Sequence, residues 1–125
     1  MEATGIRIVG VGVSFVVILV SGIWLGRSGK PYSTALFTVH KLVGLALGVL
    51  LGMIVYGAQQ AAPLVPLEIA AIAATILLFI VTVAAGGLLS IDRPAPAVAR
   101  VLHRVVPGLA VLSTAGTLYL LLSGA

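Results

Sequence analysis

The sequence has no cysteine and little charge: seven Lys or Arg and three Asp or Glu in 125 residues. Without cysteine there is no disulfide framework, no thiolate metal site and no cysteine nucleophile. Without charge there is no surface suited to water. A soluble domain is about half apolar and about a quarter charged, whereas this chain is 61% hydrophobic and 8% charged. Its outer surface must therefore face lipid. The acids are scarcest of all: Glu2, Glu68 and Asp92 each sit at the edge of a hydrophobic run. The formal charge of +4 is spread over the ends of those runs rather than gathered into a patch. That distribution is one of membrane topology and excludes a nucleic-acid footprint.

What is present is hydrophobic length. Four windows, 8–26, 35–58, 69–91 and 105–125, each reach the roughly 20 apolar residues that cross the hydrocarbon core. Only Lys41 interrupts them with a charge. Membrane strands are about 10 residues long and alternate polar with apolar, which these runs do not. The first run lacks a small-residue cleavage site and reads as a retained helix. Breaks fall at Arg27-Ser-Gly-Lys-Pro31, at Gln59 through Pro66, and at Asp92-Arg93-Pro94-Ala-Pro96. Glu68 stands in the first turn of the third helix, where the dipole favours an acid. The expectation is all-α: one transmembrane domain, 1–125, with helices at about 6–26, 35–58, 67–91 and 98–123. Short loops make sequential helices antiparallel, giving an up-down-up-down four-helix bundle.

Arg27, Lys30 and Lys41 flank the first loop, and Arg93, Arg100 and Arg104 the third; the opposite face has only Arg7. The positive-inside rule then puts the first and third loops in the cytoplasm and both termini outside, in a bacterial inner membrane. Trp24 and Tyr32 suit the inner interface, Tyr56 and Tyr119 the outer one. Fifteen glycines read mainly as close helix contacts. Gly44, Gly48 and Gly52 form a ladder on the second helix, Gly10 and Ser14 a shorter one on the first, Ala70 and Ala74 one on the third. No internal repeat stands out beyond a weak parallel between the second and fourth helices.

That parallel carries the chemistry. His40-Lys41 and His103-Arg104 hold the only two histidines, each followed by a base and each in the first turns of its helix. Both helices enter from the same membrane face, so the imidazoles are expected at matching depth. An imidazole at membrane depth is costly without a partner, and it is an axial ligand for haem iron. At 3.6 residues per turn, Gly44, Leu47 and Leu51 share the face of His40, and Gly44 would leave space for a porphyrin edge. Pro107, Ala110, Thr114 and Thr117 share the face of His103. Lys41, Arg100 and Arg104 are placed to neutralise haem propionates. Two histidines alone do not make a zinc site, which takes three or four protein ligands.

These residues resemble the bis-histidine membrane cytochromes b, in which paired helices offer histidines at equal depth, often as His-Lys or His-Arg with a glycine shortly after. The match is His40, Lys41 and Gly44 on one helix and His103 and Arg104 on the other. The resemblance implies one non-covalent haem b with His40 and His103 as axial ligands. It also implies one-electron transfer, with a quinone or redox protein as partner, and a six-coordinate iron closed to oxygen. It covers the second and fourth helices only. Larger members carry a second haem near the opposite face, and no further histidine exists here to hold one. Electron transfer across the bilayer would need a partner or a homo-oligomer.

Two other classes compete. Proton-coupled multidrug exporters share the length and helix count but need an acid inside the first helix, and fluoride channels need a polar Gly/Thr/Phe-rich third helix. This third helix is nearly all Ala, Ile, Leu and Val, with Thr75 and Thr82. A non-catalytic membrane subunit fits the glycine-rich faces. Ser14, Ser21 and Ser113 have no acid–base pair beside them and are expected to bond helix backbones or neighbouring helices.

Overall fold

The computed structural model describes residues 3–91 and 93–123. Glu2 and Asp92 lie outside the described residues. There are four α-helices: α1 (Ala3–Ser28), α2 (Thr34–Ala61), α3 (Pro66–Ser90) and α4 (Ala97–Ser123). No strand occurs among the described residues. At 1.5 Å per residue the helices are about 38 to 42 Å long, more than the roughly 30 Å hydrocarbon core. All four are long and apolar enough to cross a membrane. Large side chains such as Val16, Leu45, Val83 and Leu112 stand outward on them, 61 to 70% exposed. The chain is an all-α integral membrane protein, as its composition requires.

Local chemistry sets the helix ends. Gly29 follows α1 at φ +69°, and its N–H donates to the Leu25 carbonyl at 3.0 Å. This is the left-handed stop that glycine makes without Cβ strain. Ser33 caps α2 by accepting from the Leu36 N–H. Pro66 opens α3, a position where its missing N–H costs nothing. There the buried Glu68 carboxylate accepts from the Val65 N–H at 3.0 Å.

The chain divides into two compact units, Met1–Ala62 and Pro63–Ala125. In the first, α1 packs on α2; in the second, α3 packs on α4. Each is an antiparallel hairpin. In the first, Leu50 meets Gly10 near one end and His40 meets Gly22 near the other. In the second, Thr117 meets Thr75 and His103 meets Gly86.

The hairpins repeat one another. Buried Val11 and Ser21 of α1 correspond to buried Thr75 and Ala85 of α3, 64 residues on. Buried Leu47 and Ile54 of α2 correspond to buried Ala110 and Thr117 of α4, 63 residues on. Phe15 and Phe79, Gly22 and Gly86, His40 and His103, and Tyr56 and Tyr119 fall on the same alignment. The weak parallel seen between the second and fourth helices therefore extends to the first and third. The register changes by one residue within the hairpin, at the loop, so no single offset aligns both helices.

The repeats differ in polarity. Where the first hairpin has Val11, Leu50, Leu51 and Ile54, the second has Thr75, Ser113, Thr114 and Thr117. Thr75 Oγ1 donates to the Ala71 carbonyl at 2.9 Å. It also lies within hydrogen-bond distance of Ser113 Oγ, at 2.6 Å, and of Thr117 Oγ1, at 3.0 Å. Hydrogen bonds between membrane helices are worth roughly 0.6 kcal/mol each, and the Ser113 and Thr117 hydroxyls can turn to carbonyls of their own helix. Thr75→Val should therefore cost the second hairpin about 1 kcal/mol, and Thr75→Ser almost nothing. Unfolding of the purified variants in mixed micelles reads the difference.

Candidate functional site

His40 and His103 occupy the same place in their hairpins. Each is half-buried in the early part of the second helix, against a glycine near the end of the first. A Cβ built on Gly22 would lie 3.0 Å from His40 Cε1, 3.7 Å from Nδ1 and 3.9 Å from Nε2. A Cβ on Gly86 would lie 2.7, 3.1 and 3.5 Å from the same atoms of His103. The order is the same, so both rings turn the same edge to the glycine. The missing side chain makes a notch that the imidazole fills.

Hydrogen bonds then tie each ring to the preceding helix. His103 Nδ1 lies 2.9 Å from the Thr82 carbonyl oxygen. A carbonyl only accepts, so Nδ1 carries a proton and donates it. His40 Nδ1 lies 2.9 Å from Ser21 Oγ. The same hydroxyl lies 3.1 Å from the Ile18 carbonyl oxygen, so it bridges the ring to the backbone of α1. Ile18 and Thr82 correspond in the repeat, 64 residues apart. Both rings thus reach the same backbone carbonyl position, one directly and one through a hydroxyl.

The other expected site residues stand as follows. Gly44 does not face open space: a Cβ there would lie 3.1 Å from Ile18 Cδ1, so this glycine lets α1 approach α2. Pro107 lies inside α4, four residues after His103, and cannot donate the helical bond to the His103 carbonyl. The ammonium of Lys41 sits 4.6 Å from the centre of the Phe37 ring, and Tyr32 meets Phe37 edge-on at 5.6 Å. The exposed Arg100 donates to the Ala95 carbonyl at 3.0 Å, and Arg104 is exposed. All three bases are exposed and lie within three residues of a histidine. An open cleft of about 360 Å³ in the first hairpin, between Trp24 and Leu36, includes neither histidine.

Ser21, Gly22, Thr82 and Gly86 complete the two notches and are not apparent as site residues in the sequence. Their signal is the hairpin register: folding the chain at the first and third loops brings each glycine opposite its histidine. Ser21 and Ser113 do bond carbonyls or neighbouring helices, as expected of hydroxyls in a bilayer. Among the described residues, no three His, Cys, Asp or Glu side chains gather into a metal-ligating group. Each hairpin offers one imidazole whose Nδ1 is hydrogen-bonded to the preceding helix. Compared with protein-family models, curated proteins and solved structures, the chain shows no match.

Proposed function

We propose that this chain binds one haem b through His40 and His103 and works as a one-electron carrier in the membrane. The observation that carries this reading is the shared ring geometry. Each hairpin holds one imidazole in a glycine notch with Nδ1 hydrogen-bonded to the preceding helix. An axial histidine needs that arrangement: the outer hydrogen bond fixes the tautomer, orients the ring and raises the basicity of the ligating nitrogen. A histidine serving only as a helix contact would not need the same notch twice, each time with a base as the next residue.

In this reading Lys41, Arg100 and Arg104 supply cations for the propionates, and Gly44 and Pro107 shape the helices beside the ligands. Bound haem would supply reversible one-electron chemistry at iron. With both His40 and His103 holding the iron, no position would be left for oxygen. The electron partner is a quinone or a redox protein. The setting is a bacterial inner membrane with the first and third loops cytoplasmic, following the basic residues.

The test is the absorption spectrum of protein purified from haem-sufficient cells. We expect a Soret band that shifts and sharpens on dithionite reduction, with one haem b per chain by pyridine haemochromogen assay. Colourless protein that also fails to take up hemin in micelles would end the cytochrome reading and return the chain to the transport or subunit classes.

A further inference from the structure

The cleft of about 360 Å³ between α1 and α2 has a polar end and an apolar end. Its lining includes Trp24, Leu25, Ser28, Ser33, Leu36 and Val39. The two serines stand beside the first loop, at the end of α1 and the start of α2, and the apolar residues lie deeper along both helices. Trp24 is exposed at its rim, as suits a ring at the boundary between headgroups and hydrocarbon.

Charge at the polar end has one sign. Arg27, Lys30 and Lys41 flank the loop, and no Asp or Glu occurs between Glu2 and Glu68. Arg27 follows Trp24 by three residues, which makes the two neighbours on the surface of α1. It is exposed and makes no hydrogen bond or ion pair among the described residues. Ser33 Oγ accepts from the Leu36 N–H, which leaves its own proton to donate. The α2 N-terminus adds the positive end of a helix dipole. The second hairpin does not repeat this set: at the positions of Trp24, Arg27, Ser28 and Ser33 it has Leu88, Ile91, Asp92 and Pro96.

We infer that this cleft binds an anionic phospholipid, with the phosphate held by Arg27 and Ser33 and an acyl chain laid along Trp24, Leu25, Leu36 and Val39. Donors at one end and carbon at the other match a lipid rather than a free anion. Bases without a nearby acid select an anionic headgroup, because a choline headgroup would bring a cation of its own to Arg27. The site stands apart from the haem proposal, whose failure would not touch it.

Trp24 is the single tryptophan, so its emission reports this cleft alone. The full-length chain from haem-limited cells is reconstituted in bilayers of equal parts phosphatidylglycerol and phosphatidylcholine. Bromine, which quenches a tryptophan it touches, is placed on the acyl chains of one lipid or the other. We expect phosphatidylglycerol to occupy the Trp24 position about 5-fold more readily, the worth of one base at a membrane surface. Arg27→Gln should remove most of that preference, and Ser28→Asp, which copies Asp92 of the second hairpin, should abolish it. Gly26→Asp adds the same charge at nearly the same depth on the other side of α1, where a Cβ meets nothing within 4 Å, and should leave the preference in place. Equal quenching by the two lipids in the unmodified chain would overturn the inference. Loss of the preference in Gly26→Asp would also overturn it, since the attraction would then be diffuse. Emission that neither lipid quenches would put a second copy of the chain over Trp24 and end the lipid assignment.

Discussion

On the haem proposal, protein carrying His103→Ala should leave the purification column colourless, with haem retention reduced more than about 100-fold relative to the unmodified chain. The magnitude follows from what is removed. Losing an outer hydrogen-bond partner of a metal ligand costs about 10- to 100-fold in affinity, and losing the ligand itself costs more. The fold should hardly notice. The His103 bond to the Thr82 carbonyl is worth about 1 kcal/mol, and alanine favours a helix. The variant should therefore keep its far-ultraviolet circular dichroism and its elution volume while losing the Soret band. His40→Ala should do the same by the same route. Retention of a normal low-spin haem spectrum by either variant would remove that residue from the iron.

The helices were legible in the sequence because the bilayer fixes both their number and their minimum length. Their ends were less so. The expected windows 6–26 and 35–58 became Ala3–Ser28 and Thr34–Ala61. Hydropathy marks the lipid core, whereas a helix runs on until its backbone groups find a cap, here at Gly29 and Ser33. The third and fourth helices, expected at 67–91 and 98–123, differ by one residue at most at each end, because Pro66 and Pro96 mark their starts in the sequence itself.

The candidate site was half legible. The two histidines and the base after each are one-dimensional features. Their ring partners are not, because Ser21 and Thr82 precede them by 19 and 21 residues across a turn. Gly44 shows the opposite case. A glycine one turn from a histidine reads as open space on a helical wheel, but the wheel omits the neighbouring helix, and Ile18 fills that space. The repeat was hidden for a related reason. A hairpin conserves the register of its contacts, and a one-residue change at the loop shifts every later position in the sequence.

The glycine notch makes the second large prediction, and the sign of the effect can be argued from distances. Gly86→Ala should destabilise the second hairpin and release haem, while Gly87→Ala should do neither. A Cβ at Gly87 meets nothing within 4 Å, so that variant shows only the helix-propensity gain of alanine over glycine, up to about 1 kcal/mol. A Cβ at Gly86 would sit 2.7 Å from His103 Cε1, closer than carbon atoms pack. The imidazole is rigid, and its Nδ1 is tied to the Thr82 oxygen at 2.9 Å, so relief requires the whole ring to move and that bond to stretch. Overpacking of this kind costs about 1–3 kcal/mol, and the weakened hydrogen bond adds to it, so the loss exceeds the propensity gain. Gly22→Ala, with 3.0 Å to His40 Cε1, should fall between the two. Thermal unfolding in micelles and the haem-to-protein ratio, measured on the three variants together, should rank Gly86→Ala below Gly22→Ala below Gly87→Ala. If Gly86→Ala matched Gly87→Ala in both measurements, the ring would not lie in the notch, and its bond to the Thr82 carbonyl would fall with it.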